Sequence, residues 1–576
     1  STSGLNKRMQ IITRAIGDGA LDVDNPLIER LYLSRGLTRA EDTDKGLQAL
    51  VSPQGLTDID KAAQRVADAV ASQQRILIIG DYDADGATSV ALCKLALSAM
   101  GAEAVEFLVP DRFQFGYGLS VAIVAIAQSL KPDLIITVDN GISSIDGVAA
   151  ANVAGIDVIV TDHHLAGREL PAAYAIVNPN RGDCDFPSKS IAGVGVAYYL
   201  LSWVRHTLRQ RQWFDASRRP EPNLGQFLDL VALGTVADVV PLDRNNRILV
   251  HQGLLRMRQG HTRPGIRALA EVGKRDLSQL SAQDLGFAIG PRLNAAGRLQ
   301  DMSVGIRCLL ADDVTTARLL AQELDGLNKD RREIEQDMVA DAELLLAEAS
   351  KIDDAKGIAV YHERFHQGVV GIVAGRLRER LHRPAIVFAD SSEGVAGEIK
   401  GSARSIDGLN IRDALDTIAT RYPGLLIKFG GHAMAAGLSL KRVHFERFRI
   451  IFDQVVAELL SEDALSAKCF VDGGLSAQEL TLETVHTLFN AGPWGNGFPE
   501  PAFCDDFDLV SQRVVGAQHL KLVLRKESRL IDAIAFRQAP IDPAVQELRV
   551  VYRPARNDYG NTATLQLIVE YIEPLA

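Results

Sequence analysis

Short apolar runs alternate with amphipathic segments along residues 75–180. Each run is nearly continuous in Val, Ile and Leu, and segments with helical periodicity, such as 87–101, separate the runs. Strands of a parallel sheet have this pattern because helices cover both faces of the sheet. We therefore expect a parallel α/β sheet, and then a mostly helical region at about 190–310. The five predicted strands are RILIIG (75–80), VEFLVP (105–110), LIITVDN (134–140), IDVIVTDHH (156–164) and AYAIVNP (173–179).

Three further patterns occupy the rest of the chain. Apolar residues at three- and four-residue steps predict one long helix over 312–350. Strand and helix patterns alternate again over 351–460, which predicts a second α/β unit. The last part of the chain has strand patterns alone, at 519–526, 530–537, 546–554 and 563–572. Its length fits a five-stranded barrel, although the pattern does not distinguish a barrel from a sandwich.

The chain has 576 residues, too many for one domain at roughly 150 residues per domain. The patterns predict an N-terminal segment, a first α/β domain with helices after its sheet, a connecting helix, a second α/β domain and a β-module. Their predicted boundaries are 1–50, 51–311, 312–350, 351–460 and 461–576.

Composition excludes some classes of protein. No apolar run is long enough for a membrane span, and the first residues lack the apolar centre of a signal peptide. Five scattered cysteines without a CxxC pair favour a reducing cytoplasm and argue against a cysteine zinc site. The net charge of −11 argues mildly against a nucleic-acid partner, but the stretches 251–275 and 511–560 are basic. Charge alone therefore decides little.

Acidic residues follow three of the predicted strands. The segment 81–86, DYDADG, follows the first strand, Asp139 follows the third, and Asp162, His163 and His164 follow the fourth. An EF-hand loop is excluded because position twelve is Leu92 and a strand precedes the segment. Ligands of a parallel sheet bind outside the carboxyl ends of its strands. We therefore expect these side chains to meet at one edge.

Each Asp after a strand could be a helix cap, which is the commoner role of a single such residue. Three caps at one edge would leave their mutual repulsion uncompensated, whereas a pair of divalent cations removes it. Asp and His ligands without Cys suit Mg²⁺ or Mn²⁺. Asp238, in the apolar segment LVALGTVADVVPL, is either a further ligand or a buried partner of a nearby Arg.

Two metal ions a few ångströms apart are a device for phosphoryl transfer, which also needs cationic groups for the phosphate oxygens. Three loops rich in small residues offer such groups, although each could be a packing solution. They are GPRLNAAGRL (290–299) with Arg292 and Arg298, GSARSI (401–406) with Ser402 and Arg404, and KFGGHAMAAG (428–437) with His432.

In this order, DYDADG, VDNG, TDHH and GTVADV resemble the four motifs of the DHH phosphoesterases. GSARS and GGHAMAAG resemble the DHH-associated domain, and GPRLNAAGRL is similar to the single-strand-specific exonucleases of this family. The resemblance covers roughly residues 50–576. It implies an α/β fold with a parallel-sheet DHH domain, a long connecting helix, a second α/β domain and a C-terminal OB-like barrel.

The resemblance also implies roles for individual residues. It implies metal ligands at Asp83, Asp85, Asp139 between the two ions, His163 and Asp238, with Asp81 as an additional ligand. It implies His164 at the scissile phosphate, and Arg298 or Arg292 as the transition-state cation. It implies that the terminal 5′-phosphate binds Arg112, Ser402 and Arg404, with Asn294, Gly430, Gly431 and His432 as further substrate contacts.

The function implied is a 5′-to-3′ exonuclease of single-stranded DNA that uses two Mn²⁺ or Mg²⁺ ions and releases mononucleotides. The family acts in recombination and repair beside single-strand-binding protein and a helicase, and we expect a cytoplasmic monomer. Two alternatives stay open: a phosphoesterase of short oligonucleotides or cyclic dinucleotides, and a scaffold without catalysis. The extra β-module argues against the first, and the complete ligand set argues against the second.

Overall fold

The structure is a computed structural model that describes residues 9–111, 114–115, 117–348, 355–391, 396–516, 518–560 and 562–575. Arg112, which we expect at the terminal phosphate, lies outside these ranges. Within them, no helix combines the length and the apolar character that crossing a membrane requires.

The N-terminal half is built around a parallel sheet. Strands β2 to β6 lie in the order β3-β2-β4-β5-β6, and all neighbours are parallel. All five predicted runs are therefore strands of one sheet. The elements are β1 (Gln10–Thr13), α1 (Pro26–Leu33), α2 (Ile59–Ala71), β2 (Ile76–Ile79), α3 (Ala84–Met100), β3 (Val105–Leu108), α4 (Val121–Ser129), β4 (Leu134–Val138), α5 (Ile145–Val153), β5 (Asp157–Thr161) and β6 (Ala175–Val177).

Helices follow the sheet, as the pattern over 190–310 predicts. Between α11 and α12 the chain makes one π-helical turn, Leu285–Ile289. The helices are α6 (Gly193–Gln210), α7 (Trp213–Ala216), α8 (Leu228–Ala237), α9 (Arg244–Arg258), α10 (Pro264–Val272), α11 (Ala282–Asp284), α12 (Gly290–Leu299) and α13 (Ser303–Leu310).

Both faces of the sheet are buried, which is why its strands are almost entirely apolar. Ile76 and Ile78 of β2 belong to the apolar cluster on the side of α3 and α6, and Leu77 and Ile79 belong to the cluster on the side of α4 and α5. Successive side chains of a strand point to opposite faces. All strands are parallel, so their carboxyl ends lie at one edge.

A single long helix, α14 (Val314–Glu348), connects the two lobes. Its first half contributes Ala321 and Leu324 to the core of the N-terminal lobe, and its second half contributes Met338 and Ala342 to the core of the next lobe. At 1.5 Å per residue it is about 50 Å long. The helix therefore fixes the spacing of the two lobes, as the periodicity over 312–350 predicts.

The second lobe contains a mixed sheet in the order β10-β11-β9-β8-β7. Only β7 and β8 are parallel, because β9 reverses direction and β10 and β11 form a hairpin. The segment 428–437, expected to be a loop, is largely this hairpin, with its turn at 432–434. The elements are β7 (Ile358–Tyr361), α15 (Val370–Leu381), β8 (Ala385–Asp390), β9 (Glu398–Arg404), α16 (Ile411–Arg421), β10 (Lys428–Gly431), β11 (Ala435–Lys441) and α17 (Phe445–Leu459).

The C-terminal part is a closed barrel in the order β13-β14-β15-β17-β16, preceded by a strand and a helix. The four predicted strand runs are β14 to β17. The pattern does not predict the fifth strand, β13, because Asp505, Asp506 and Asp508 break its apolar character. The elements are β12 (Lys468–Val471), α18 (Leu482–Ala491), β13 (Phe503–Val515), β14 (His519–Lys526), β15 (Arg529–Ala535), β16 (Glu547–Asn557) and β17 (Thr564–Leu575).

This C-terminal part is joined to the N-terminal half rather than tethered to it. Strand β1 pairs in parallel with β12. The guanidinium of Arg35 donates to both carboxylate oxygens of Asp472, at 2.9 and 3.0 Å, and both side chains are buried. One apolar cluster includes Leu31 of α1, Val90 of α3 and Val550 of the barrel. The barrel and the first lobe thus share a core.

Candidate metal centre and adjoining cleft

The acidic residues after β2 are held by the first turn of α3. Asp83 is the N-cap of this helix, and its carboxylate accepts from the Gly86 amide at 2.8 Å. The side-chain oxygen of Asn294, on α12, accepts from the Ala84 amide at 2.8 Å. Backbone groups at a helix start lack partners within the helix, so these bonds fix the turn. The expected capping role and a ligand role therefore coexist at Asp83.

Asp85 faces the start of another helix. Its two carboxylate oxygens accept from the Gly193 and Val194 amides of α6, each at 2.8 Å. The partial positive charge of a helix N-terminus stabilises a carboxylate there. Each carboxylate oxygen has a further lone pair, so the same bonds that orient Asp85 leave it able to bind a cation.

Asp139 follows β4 in a left-handed conformation, with φ of 59°. A Cβ on Gly193 would come within 2.8 Å of the Asp139 Cβ, so only glycine lets α6 start this close to the carboxylate. The Asp139 Oδ2 is buried and has no hydrogen-bond partner in the part of the chain that the structure describes. A buried carboxylate oxygen without a partner is costly unless a ligand binds it.

His163 lies between three carboxylates. Its Nε2 is 3.0 Å from Asp139 Oδ1, and 3.6 Å from both Asp85 Oδ2 and Asp238 Oδ2. Asp238 is the C-cap of α8, so residues from three strand ends and one helix end meet here. Of the two sequence interpretations of Asp238, a partner of an Arg and a member of the acidic cluster, the geometry supports the second.

His164 is held by Asp162, which is not among the ligands predicted from the sequence. Its Nδ1 is 2.6 Å from Asp162 Oδ1 and 3.1 Å from the hydroxyl of Tyr117. The same hydroxyl donates to the Asp139 carbonyl at 3.0 Å. With Nδ1 engaged, Nε2 is the ring nitrogen that His164 can offer to a ligand.

The carboxylates of this cluster repel one another. Burial, and then the Asp83 carboxylate, raise the pKa of Asp85 to about 7. Burial and neighbouring carboxylates also raise the pKa values of Asp81, Asp139 and Asp238 well above the ordinary Asp range. Without a cation, the fold therefore favours the protonated form of each of these groups.

The pKa values of the two histidines shift in opposite directions in these surroundings. Burial and His164 lower the pKa of His163 to about 4, which keeps it neutral, the form that binds metals. Burial also disfavours the charged form of His164, but the hydrogen bond and the charge of Asp162 outweigh it and raise the pKa of His164 to about 9. In turn, the hydrogen bond from His164 lowers the pKa of Asp162 despite its burial.

These residues fit a pair of divalent cations. Three overlapping groups of ligand atoms each lie within 4.8 Å of one another, and Asp139 and His163 each belong to two of them. Carboxylate and imidazole ligands without Cys suit Mg²⁺ and Mn²⁺. The groups are Asp139, Asp162, His163 and His164; Asp85, His163 and Asp238; and Asp81, Asp83 and Asp139.

A cleft of about 490 Å³ adjoins this centre and separates the two lobes. Tyr82 and Asp83 form one wall, and the opposite wall is the face of β9 that carries Lys400, Ser402 and Arg404. Arg404 donates to the Ser402 hydroxyl at 3.0 Å and makes no ion pair with a carboxylate among the described residues. Arg404 thus pairs with neither Asp407 nor Glu398, two acidic residues near it in the sequence.

The start of α15 closes the same wall. Gly371 approaches the Ser402 hydroxyl and the Arg404 guanidinium so closely that a Cβ there would lie 3.1 and 2.9 Å from them. Two residues earlier than the helix start, the Gly368 carbonyl accepts from Arg298 Nη1 at 3.1 Å, which links α12 of the first lobe to the second. A helix N-terminus beside a guanidinium and a hydroxyl is a site for an anion.

The predicted loop 290–299 is helix α12, and its two arginines have different surroundings. Arg298 lines the cleft, as does Asn294. Arg292 is 8% exposed, donates to Asp325 of α14 at 3.0 Å and to the Ala288 carbonyl at 2.6 Å, and does not line the cleft. The structure thus brings Arg298, and not Arg292, to the site.

Gly430, Gly431 and His432 lie at the outer edge of the second sheet. His432 is exposed at the turn between β10 and β11, and none of the three lines the cleft, although Lys428 of the same strand does. The structure does not bring these predicted substrate contacts together with Ser402 and Arg404.

Sequence reasoning missed Gly193 and Lys400 as residues that shape the site, and it did not predict that Asp162 and Tyr117 hold His164. Asp162 is visible in TDHH, but its neighbours His163 and His164 are the stronger ligand types. Lys400 lies two residues before Ser402, on the same face of a strand, so the period of two could have found it. Gly193 and Tyr117 act through distant contacts for which the sequence has no signal.

Three family models match the chain. They are described as "DHH family, N-terminal domain" at residues 75–235, "DHHA1 domain" at 354–458 and "RecJ OB domain" at 471–571. The matches confirm the resemblance inferred from the motifs.

Relatives and solved structures agree with these matches. The chain is 51% identical to the single-stranded-DNA-specific exonuclease RecJ of Dickeya dadantii and 50% identical to that of Escherichia coli, over at least 95% of each chain. The crystal structure of RecJ with Mn²⁺ from Thermus thermophilus has a TM-score of 0.79 at 29% identity, covering 99% of this chain and 80% of that one. The Mg²⁺ complex has a TM-score of 0.72 at 27% identity, covering 99% and 79%. The predicted fold class is confirmed.

We expect Asp139→Asn to stabilise the metal-free protein at pH 8, because the amide keeps nearly the same shape and cannot ionise, whereas Asp139 is buried among other carboxylates that disfavour its charged form. In EDTA, wild type should lose stability between about pH 6.5 and 9, because His164 keeps in the fold a proton that the unfolded chain has already released. The raised pKa of Asp85 acts at lower pH, between about 4 and 7. The lowered pKa of His163 acts only below about pH 6.5. Thermal unfolding with EDTA or Mn²⁺ measures both effects.

At pH 8, Mn²⁺ should raise the melting temperature of wild type by several degrees. It should raise the melting temperature of Asp139→Asn much less. If Asp139→Asn is less stable than wild type in EDTA at pH 8, burial and neighbouring carboxylates do not explain the raised pKa of Asp139. An equal response of both proteins to Mn²⁺ would contradict the cation site.

Proposed function

The chain belongs to the RecJ family of single-stranded-DNA-specific exonucleases, and on that premise we propose that it hydrolyses single-stranded DNA from the 5′ end and releases 5′-mononucleotides. One observation carries the proposal: the acidic centre and the Ser402–Arg404 wall face each other across one cleft. Such a cleft can bind a scissile phosphodiester on one side and a terminal phosphate on the other.

The acidic centre would hold two Mn²⁺ or Mg²⁺ ions through Asp81, Asp83, Asp85, Asp139, His163 and Asp238. When bound, such ions activate water and neutralise charge on a phosphate. The residues themselves set the geometry: α6 orients Asp85, and Gly193 leaves room for Asp139. Asp139 belongs to two of the three ligand groups, which supports its role between the ions.

His164 would hold the scissile phosphate. Its Nδ1 is bound to Asp162, so a protonated ring presents Nε2–H as a donor toward a phosphate oxygen. Asp162 would then act as the residue that orients and charges the imidazole rather than as a primary ligand.

Arg298 would stabilise charge on the phosphate in the transition state. It lies in the cleft beside Asn294, whereas Arg292 is bound to Asp325. This difference supports Arg298 over Arg292. Asn294 would contact the substrate from the cleft wall, while its side-chain oxygen holds the first turn of α3.

Ser402 and Arg404 would bind the terminal 5′-phosphate, together with Arg112 outside the described residues. A terminal phosphate carries more negative charge than an internal diester, so Arg404, half-buried and without a carboxylate partner among the described residues, favours ends. Burial, and then Arg378, lower the pKa of Arg404, as expected for a cation without a nearby carboxylate. Gly430, Gly431 and His432 would contact the strand at the outer edge rather than the terminal phosphate.

The strand beyond the first nucleotide would leave through a second cavity of about 760 Å³. Asn294 and Arg298 line both cavities, so the two adjoin each other. Arg332 of α14 and Arg537 of the barrel lie on its walls, exposed and without carboxylate partners among the described residues, and Phe287 is 75% exposed there. Unpaired cations beside an exposed ring suit a single strand.

For the cell we propose a cytoplasmic monomer that acts in recombination and repair, on strands opened by a helicase and covered by single-strand-binding protein. The five cysteines are free, which supports a reducing compartment. The partners rest on family membership alone, and we propose the domain boundaries 1–50, 51–311, 312–350, 351–460 and 461–576 on the sequence pattern.

A direct test uses a labelled single strand with a 5′-phosphate, the same strand in a blunt duplex, and a dinucleotide, each with Mn²⁺, Mg²⁺ or EDTA. We expect mononucleotides from the 5′ end of the single strand, little from the duplex, and none in EDTA or with Asp139→Asn. A preference for the dinucleotide would favour a small-substrate phosphoesterase. Binding without hydrolysis would favour a scaffold.

Arg404→Ala should lower the preference for 5′-phosphorylated over 5′-hydroxyl strands by about ten- to a hundredfold, the loss expected for one hydrogen bond to a charged group. The measurement is kcat/KM on both strands. Arg412→Ala, an exposed cation at the start of α16, is the matched control and should leave the ratio unchanged. An unaltered ratio in Arg404→Ala would place end recognition elsewhere.

Replacing both Arg332 and Arg537 by Ala should weaken binding of long strands while leaving dinucleotide hydrolysis unchanged. Two lost phosphate contacts on a single strand should reduce the slope of log K against log salt by about 1.4. Arg380, which is paired with Glu343 in the same cavity, provides the control variant Arg380→Ala. The same slope in the double variant and in wild type would exclude this route.

A further inference from the structure

Val239, the residue after Asp238, has a backbone conformation that valine rarely adopts. Its φ is 60°, in the left-handed region, and its side chain is 65% exposed. Positive φ is strained for any L-residue and is a true outlier for a β-branched one. Such a conformation persists only where the surroundings hold it, and it is concentrated at functional sites.

The position in the helix explains why φ is positive. Helix α8 ends at Ala237, Asp238 is its C-cap, and Val239 follows as the first residue outside. The Asp238 amide donates to the Gly234 carbonyl and the Val239 amide to the Val236 carbonyl, each at 3.0 Å. Glycine usually occupies the left-handed position after a helix. This turn directs the Asp238 carboxylate toward His163. With valine rather than glycine at its left-handed position, the turn needs contacts from elsewhere to be stable.

A residue of the C-terminal part contacts the turn directly. The side-chain amide of Asn496 donates to the Val239 carbonyl at 2.7 Å. The backbone carbonyl of Asn496 accepts from the Leu242 amide, also at 2.7 Å. Asn496 therefore binds the chain at the carbonyl of the strained residue and again three residues later, from a loop more than 250 residues later in the sequence.

The loop that presents Asn496 is itself rigid. Gly495 and Phe498 form a bridge in which each amide donates to the other's carbonyl. The Phe498 ring is buried, stacks on Trp494 at 5.1 Å and lies under the Arg247 guanidinium at 4.5 Å. A Cβ on Gly495 would lie 2.8 Å from Leu242, so glycine permits the close approach of the loop.

We propose that Asn496 is a positioning residue for the metal centre: it holds Val239 in the left-handed conformation and thereby fixes Asp238 beside His163 and Asp85. The C-terminal part then serves the chemistry as well as the strand, because it completes the turn that carries one of the ligands. This inference rests on the proposed role of Asp238 in holding a cation.

The test is Asn496→Ala, which removes the side-chain bond and keeps the backbone bond. We expect Mn²⁺ affinity, titrated by calorimetry into the metal-free protein, to fall about three- to tenfold, as for the loss of one hydrogen bond. We expect kcat on the 5′-phosphorylated strand to fall by a similar factor, with KM unchanged. Asn490→Ala removes an exposed amide of the same part, which bonds to His486, and should change neither quantity.

Val239→Gly supplies the decisive comparison, because glycine adopts positive φ without strain. In the Val239→Gly background, Asn496→Ala should have little effect on Mn²⁺ affinity or kcat. A role of Asn496 in folding the loop alone would not be relieved by a glycine after the last turn of α8.

Each outcome of these measurements supports or overturns one of the two proposals. Unchanged Mn²⁺ affinity and kcat in Asn496→Ala overturn the inference, as does an equal loss in both backgrounds or unfolding in both. Wild type that binds no Mn²⁺ would overturn the proposed function instead. Recovery in the glycine background alone supports the positioning role.

Discussion

The first lobe is organised around one constraint, the concentration of like charge at the carboxyl edge of its sheet. Six carboxylates and two imidazoles meet where three parallel strands and α8 end. Burial excludes the water that would screen them, which raises the pKa of Asp85 to about 7. The rest of the lobe can be understood as the scaffold that keeps these groups together: helix starts face Asp83 and Asp85, and Asp162 charges His164. Divalent cations turn the same repulsion into binding energy.

That constraint also explains where small residues and strained residues occur. Gly193 stands where α6 starts against Asp139, and Gly371 stands where α15 approaches Arg404, because a Cβ at either place would collide with the functional side chain. Asp139 itself is left-handed. A helix N-terminus and a carboxylate must be this close to interact through the helix dipole, which falls off within the first turn. Glycine at the helix start therefore lets each helix approach the functional side chain closely.

Much of the fold could be predicted from the sequence, because buried parallel strands and long helices have strong periodicities. The five runs are the five strands, and the rule that ligands bind at the carboxyl ends of parallel strands correctly places 81–86, Asp139 and 162–164 at one edge. Side chains whose role depends on a distant partner could not be predicted. Arg292 and Arg298 are six residues apart on one helix, and only the positions of Asp325 and Gly368 separate their roles. Strand β13 was missed because its acidic residues pair with Arg525, Arg549 and Lys526 of the neighbouring strands, contacts that a local pattern does not contain.

The sequence pattern sets the C-terminal barrel apart as a module, and the structure gives a physical reason why it is not separate. A barrel that only bound the strand would need a flexible link and a polar surface toward the first lobe. Instead, β1 pairs with β12, Arg35 and Asp472 form a buried ion pair, and the apolar cores are continuous. A buried ion pair contributes little net stability but makes separation costly, since either partner alone would be an uncompensated charge. The barrel is thus fixed relative to the acidic centre, and Arg537 keeps a constant distance from the cleft that α12 lines. The shared core thus holds both the proposed path of the DNA strand and the metal centre in place. Packing, rather than a linker, sets the distance between them.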